Sequence, residues 1–345
     1  MAILKIKRSA PMIRGRTFFV LFLLVGLLLL LLAGAASISF GAARMDISTA
    51  WSAIFAFNPE VPEHQIIQTL RFPRTIADIV VGISLSVAGA IMQGTTRNPL
   101  ADSGLMGVNS GAAFTMVLVL AFMPGIGYTE SLLMCFLGAG LGAGMTYLVA
   151  SLNKRGMTPQ RLVLAGMSIS MLFGALGTFF SIQYNLGQAL YYWTSGSVAG
   201  ASWSELAFVA PWFVGGLGLA IALSPSIAIL NLGDEIAKGF GQRTVRVKLL
   251  STIAVLLLSG LSAALVGPVG FVGLIVPHIM RFMIGVDYRY IIPASAVYGG
   301  VFMLAADLIG RLVNRPNEMA LGIVFAILGV PLFLIISNRM RRGLE

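Results

Sequence analysis

Long apolar blocks alternate with short polar breaks along this chain, and no block shows the sustained period-two alternation of a half-buried strand. A bilayer core takes roughly 20 apolar residues per helix. On that measure the blocks divide into ten spans, at 17–36, 72–92, 102–122, 130–150, 160–182, 204–223, 247–266, 271–285, 290–311 and 319–337. Their richness in Leu, Gly and Ala predicts helices rather than a barrel. Several spans read as broken. Gly267-Pro-Val-Gly270 interrupts the chain before the eighth span, and Pro277 lies inside it. Gln93 to Gly104 is polar and turn-rich, and Gly107-Val-Asn-Ser-Gly111 carries polar residues into the third span. Irregular backbone at membrane depth is tolerated where it is buried in protein or lines a cavity. Gly138, Gly140, Gly142 and Gly144 predict close helix contacts at 138/142 and at 140/144.

One stretch, Ser224 to Lys248, departs from this pattern and reads like a piece of a soluble protein. Leu232, Ile236 and Phe240 recur at four-residue spacing, which places them on one face of a short helix. Asp234, Glu235 and Lys238 point elsewhere, and Gly233, Gly239 and Gly241 punctuate the segment. An amphipathic helix in a loop between membrane spans predicts a docking surface.

Composition agrees with the pattern. The chain is 57% hydrophobic and 10% charged over 345 residues, where a soluble domain carries about 25% charged residues. The net charge of +10 sits in loops and ends, which fits membrane topology better than nucleic-acid binding. With residues 1–16 on the inner side, 18 of the 23 Lys and Arg fall in inner loops, and five (Arg44, Arg71, Arg74, Arg311, Arg315) fall outside. The positive-inside rule then places both termini and the segment 224–246 in the cytoplasm. A cleaved signal peptide is the alternative for the N-terminus, but the apolar run is longer than the 7–15 residues typical of one. The whole of 1–345 reads as a single transmembrane domain. Cys135 stands alone, and His64 and His278 are far apart, so no metal site is expected. His64 reads as a solvated loop residue and His278 as a structural hydrogen-bonding one.

Arg74–Asp78 and Asp307–Arg311 are i,i+4 pairs near the outer ends of their spans. They read as local ion pairs that carry a carboxylate slightly into the membrane. Alternatively, Arg71, Arg74, Arg311 and Arg315 form a positive outer rim for an acidic partner or an anionic substrate. A third reading makes Asp78 and Asp307 a proton relay in a secondary transporter. Tyr191, Tyr192, Trp193 and Trp203 read as an interfacial aromatic belt. No P-loop, G-x-S-x-G or H-E-x-x-H occurs, so any ATP used is hydrolysed on another chain. A non-transporting scaffold is disfavoured, because a passive anchor need not tolerate broken spans.

Seven segments in order resemble the FecCD family of ABC importer permeases, which carry iron–siderophore, haem and vitamin B12 uptake. They are LRFPRTI from Leu70, GAIMQGTTRNPLADSGLMGVNSG from Gly89, YWTSGSVAGASW from Tyr192, LGDEIAKGFG from Leu232, GPVGFVGLIVPHIMRF from Gly267, ADLIGR from Ala306 and EMALGIVFAILGVPLF from Glu318. The resemblance implies an all-α, vitamin-B12-permease-like fold of about ten transmembrane helices in the bacterial cytoplasmic membrane. It implies a second permease subunit, two cytoplasmic ATPases that hold the ATP and Mg, and an extracytoplasmic substrate-binding protein, with no cofactor in this chain. Leu232, Gly233, Asp234, Glu235, Ile236, Ala237, Gly239, Phe240 and Gly241 would form the coupling helix seated on the ATPase. Arg71, Arg74 and Arg311 would receive acidic residues of the binding protein. Asn98 and Leu100, with Thr158 and Pro159, would form the cytoplasmic gate, although Met157-Thr-Pro-Gln160 departs from the family's hydroxyl-rich sequence there. No acidic cluster in the spans suits a naked metal ion, so a bulky chelate is expected. An iron(III)–siderophore is favoured ahead of haem and vitamin B12.

Overall fold

The structure is a computed structural model, and it describes residues 15–41, 45–152, 159–313 and 317–342. Among these residues it is helical, with no strand. The long helices are α1 (Gly15–Ser39), α4 (Phe72–Thr96), α6 (Tyr128–Ser151), α7 (Pro159–Gln183), α9 (Trp203–Leu230), α11 (Thr244–Val266), α13 (Tyr288–Val313) and α14 (Leu321–Arg342). Between them lie α2 (Ile47–Phe55), α3 (Pro62–Ile66), α5 (Val108–Phe122), α8 (Gly187–Thr194), α10 (Asp234–Gly239) and α12 (Val272–Ile284). Seven helices are long and apolar enough to cross a membrane, and shorter apolar helices in α5, α12 and α14 complete the ten predicted elements. A π-helical turn at Ile67–Arg71 joins α3 to α4, so one helical path runs from Pro62 to Thr96.

The ten elements alternate in direction. One end of the bundle carries Arg97, α10 and the turn 285–287, and the other carries α2, α3, α8 and the start of α14. The centre is built on α4: 78% of its most apolar window is buried, against 11% for α1, which lies at the periphery. Helices α11 and α13 pack against α4 with Val81, Ala88, Ile91, Leu258, Leu261, Ile291 and Met303.

Close approach of helices depends on glycine where the sequence predicted it, but only in part. A Cβ on Gly138 would sit 2.7 Å from Gly111 O, and one on Gly142 would sit 2.1 Å from Gly107 O, so this face meets α5 backbone to backbone. Gly140 and Gly144 have nothing within 4 Å, and the predicted 140/144 contact does not form among the described residues.

The predicted breaks are real. Residues 267–271 are non-helical between α11 and α12, and Ser197 N–H donates to Val266 O (3.0 Å) at the edge of the break. A 3-10 turn at Ser103–Met106 precedes α5. Pro277, by contrast, continues the helix of α12. Its missing N–H leaves Gly273 O without an intrahelical partner, and Gln93 Nε2 donates to Gly273 O at 3.3 Å.

Three expectations are corrected. Ser224 to Leu230 is not part of a soluble-like loop; it forms the last two turns of α9. Pro225 frees Ile221 O, Ser224 Oγ donates to it (2.8 Å), and Ile227 and Leu230 are fully buried. With α11 starting at Thr244, the 224–246 segment narrows to residues 231–243. His64 is buried rather than solvated. Its Nδ1 accepts from Asn58 N–H (3.1 Å), which leaves Nε2–H to donate to Ser52 Oγ (2.9 Å). His278 lies inside α12, and its buried Nδ1 has no hydrogen-bond partner among the described residues. The helices α2, α3 and α8 were not predicted.

Candidate functional site

Helix α10 is six residues long, too short to persist alone. It is held by its surroundings. Ala237 is fully buried with Leu230 and Val247, Gln242 Nε2 donates to Ser226 O (2.9 Å), and Asp234 pairs with Lys248 of α11. Asp234 and Glu235 in its first turn and Lys238 in its last complement the helix dipole. Gly233 precedes it at φ 130°, a conformation that suits glycine alone. With Ala237 as its one inward anchor, α10 leaves Leu232, Ile236 and Phe240 at 60%, 49% and 73% exposure. Leu232 and Phe240 flank the helix rather than lie within it, yet all three spaced apolar residues are exposed. A rigidly held, exposed apolar patch ringed by charge marks an interaction site.

The turn after α4 abuts this helix. A Cβ on Gly233 would lie 3.6 Å from Arg97 Nη1. Arg97 ends α4 in the left-handed region (φ 55°), and Asn98 Oδ1 accepts from Leu100 N–H (3.0 Å) to close the next turn. Arg97, Asn98, Met106 and Gln160 line one cavity of about 550 Å³ at this end. The structure therefore brings Asn98 to the start of α7, where Pro159 is the first residue. Thr158 lies outside the described residues.

At the opposite end the predicted arginine rim takes a different form. Arg71 Nη1 donates to Ile38 O (2.9 Å) and Ser39 O (3.1 Å). Arg311 Nη1 donates to Ser37 O (3.0 Å), and its Nη2 donates to Ser37 Oγ (2.6 Å). Both guanidinium groups thus cap the last carbonyls of α1, the favourable place for a cation at a helix end. They are 7% and 2% exposed, so neither stands out on an open surface.

The i,i+4 pair Asp307–Arg311 forms at 2.8 Å. The pair Arg74–Asp78 does not. Arg74 instead crosses to α13, with Nη2 to Asp307 Oδ1 at 2.7 Å and Nε to Asp307 Oδ2 at 3.2 Å. A bidentate carboxylate on a neighbouring helix outcompetes the single contact available along α4. Asp78 is fully buried, and the group it faces is the Asp307 carboxylate rather than Arg74. The third contact of Arg74, from Nη1 to Glu318 Oε2 at 2.8 Å, was not anticipated. Arg71, Arg74, Arg311 and Glu318 line one cavity of about 360 Å³.

A second network was missed. Arg281 Nη2 donates to Gln93 Oε1 (3.0 Å) and to Tyr288 Oη (2.7 Å), while Gln93 Nε2 serves α12. This ties α4, α12 and α13 together beneath the break. Gln93, read from the sequence as the start of a polar turn, lies within α4, which runs on to Thr96.

Residues 28–339 match the FecCD transport family. The chain is 44% identical to the iron(3+)-hydroxamate import system permease protein FhuB of Bacillus subtilis, over 94% of this chain and 85% of that one. It is 39% identical to the Fe(3+)-citrate import system permease protein YfmD of the same organism, over 92% and 94% of the two chains. Against the ferric enterobactin transport system permease protein FepD of Escherichia coli it is 34% identical, over 92% and 95%. Among solved structures, an inward-facing metal-chelate type ABC transporter superposes with a TM-score of 0.80 at 26% identity, over 93% of this chain and 99% of that one. The resemblance carried by the seven segments holds across nearly the full length, and the chain belongs to the FecCD transport family.

Proposed function

We propose that this chain is the permease subunit of an ABC importer that moves an iron(III)–siderophore complex across the bacterial cytoplasmic membrane. The observation that carries the reading is α10, a short helix fixed by Ala237 and the Asp234–Lys248 pair, with Leu232, Ile236 and Phe240 left for a partner. The substrate class rests on relatives named for ferric hydroxamate, citrate and enterobactin import.

In this reading the α10 end and both termini face the cytoplasm, as the distribution of Lys and Arg favours. The permease pairs with a second copy or a paralogue, and each α10 seats on an ATPase chain that binds ATP and Mg. A loaded binding protein docks over the cavity lined by Arg71, Arg74 and Arg311. ATP binding closes the ATPases, which shifts α10. The shift reaches the turn of Arg97, Asn98 and Leu100 because Gly233 abuts Arg97. That turn, with Thr158 and Pro159, closes or opens the inner mouth. The two nucleotide states need only grip α10 differently to move the equilibrium between inward- and outward-open forms.

The docking half is tested by Arg74→Gln, which removes the charge and spares the α1 caps made by Arg71 and Arg311. The dissociation constant of the importer's own binding protein is expected to rise about tenfold or more, with a weaker dependence on salt. An unchanged constant contradicts docking at this cavity.

A further inference from the structure

We propose that Glu318 is a built-in stand-in for the partner's carboxylate, so that docking of an acidic side chain at Arg74 proceeds by exchange. This inference rests on the docking reading above and adds to it the residue that yields.

The two carboxylates on Arg74 differ. Asp307 grips Nε and Nη2 together, also pairs with Arg311, and is 2% exposed. Releasing it would strand a buried carboxylate between two arginines, at high cost. Glu318 makes a single contact with Nη1, and its side chain is 33% exposed. A single contact from a part-exposed side chain is the weaker of the two, so an incoming carboxylate can replace it. The cavity beside it is about 360 Å³, and Arg71, Arg74 and Arg311 all line it. The same geometry selects the partner chemistry. A group that replaces Glu318 at Nη1 must accept a hydrogen bond, and one that also restores the displaced negative charge is an Asp or Glu side chain.

Glu318 begins a strap between α13 and α14 that is stitched to its surroundings by backbone bonds. Met319 N–H donates to Gly310 O (3.0 Å), Leu321 N–H to Gly196 O (3.1 Å) and Gly322 N–H to Ser195 O (3.0 Å). Glu318 therefore sits three residues before α14, on a strap whose own backbone bonds hold it in place when the side chain lets go.

The test is a double-mutant cycle with the importer in lipid nanodiscs and its own binding protein, loaded with a ferric trihydroxamate, as the titrant. Glu318→Gln removes the competing charge and is expected to tighten docking about two- to fivefold. In the Arg74→Gln background the same change is expected to do nothing, because the contested site is gone. If Glu318→Gln leaves docking unchanged or weakens it while Arg74→Gln still weakens it, the exchange is wrong and the docking reading survives. If Arg74→Gln itself has no effect, the docking reading fails first. Glu318→Ala serves as the second variant, and a change opposite in sign to that of Glu318→Gln overturns the competition.

Discussion

Ile236→Asp is expected to abolish ATP-driven uptake while the permease keeps its fold. Ile236 is 49% exposed and lies outside the buried cluster of Leu230, Ala237 and Val247 that anchors α10. The cost within the permease is therefore small, as for most surface substitutions. In the proposed seat on the ATPase the cost is large. Burying an isoleucine stabilises a contact by about 1.5–3 kcal/mol, and an aspartate in its place brings an unpaired charge into an apolar seat. Together these weaken the contact by a factor of 100 or more, at about 1.4 kcal/mol per tenfold. Uptake by the reconstituted complex should fall to background while thermal unfolding of the isolated permease stays within a degree or two. Ala237→Asp is expected to differ, because Ala237 is the buried anchor of α10, and both properties should fail. Wild-type uptake by the Ile236→Asp variant would remove α10 from the coupling path.

The second large effect is expected at Gly89. A Cβ there would lie 1.9 Å from Gly273 O and 2.4 Å from Gly273 C, both backbone atoms with no room to rotate away. Gly89→Val must push α12 off α4, which breaks the bonds from Gln93 to Gly273 O and Leu274 O and unseats Arg281. Packed interiors do not absorb such an insertion. Gly89→Val should yield aggregated or undetectable protein on size exclusion. Gly140→Val, where nothing lies within 4 Å, should behave like wild type. A monodisperse Gly89→Val protein with native thermal stability would show that the α4–α12 contact is looser than described.

Much of this was legible in the sequence, for identifiable reasons. Apolar block length fixes the number of crossings, because the bilayer imposes it. The spacing of Leu232, Ile236 and Phe240 pointed to a helix there, but the helix that forms, Asp234–Gly239, is shorter than that spacing implied and contains only Ile236. The start of that segment was misread because Ser224 and Pro225 look like a break. The sequence does not display that Ser224 itself supplies the donor that Pro225 lacks. The arginine end was harder, since an i,i+4 pair can be read from one helix but Arg74 found its partner on another. Which helix faces which is a tertiary fact. For the same reason Gln93, Arg281 and Glu318 escaped notice, each being defined by a group far away in the chain. The glycines divide similarly: 138/142 and 140/144 share one motif, and only packing against α5 separates them.

The proposal that a separate ATPase, acting on α10, drives transport through this chain is decided in proteoliposomes that hold the permease, the ATPase chain and a ferric trihydroxamate carried by the binding protein. Radioactive iron uptake is followed with and without ATP, and with an uncoupler added while ATP is held constant. Uptake is expected to require ATP and the ATPase chain and to be indifferent to the uncoupler. Uptake that proceeds without the ATPase and collapses with the uncoupler would contradict it, and would return Asp78 and Asp307 to the role of a proton relay.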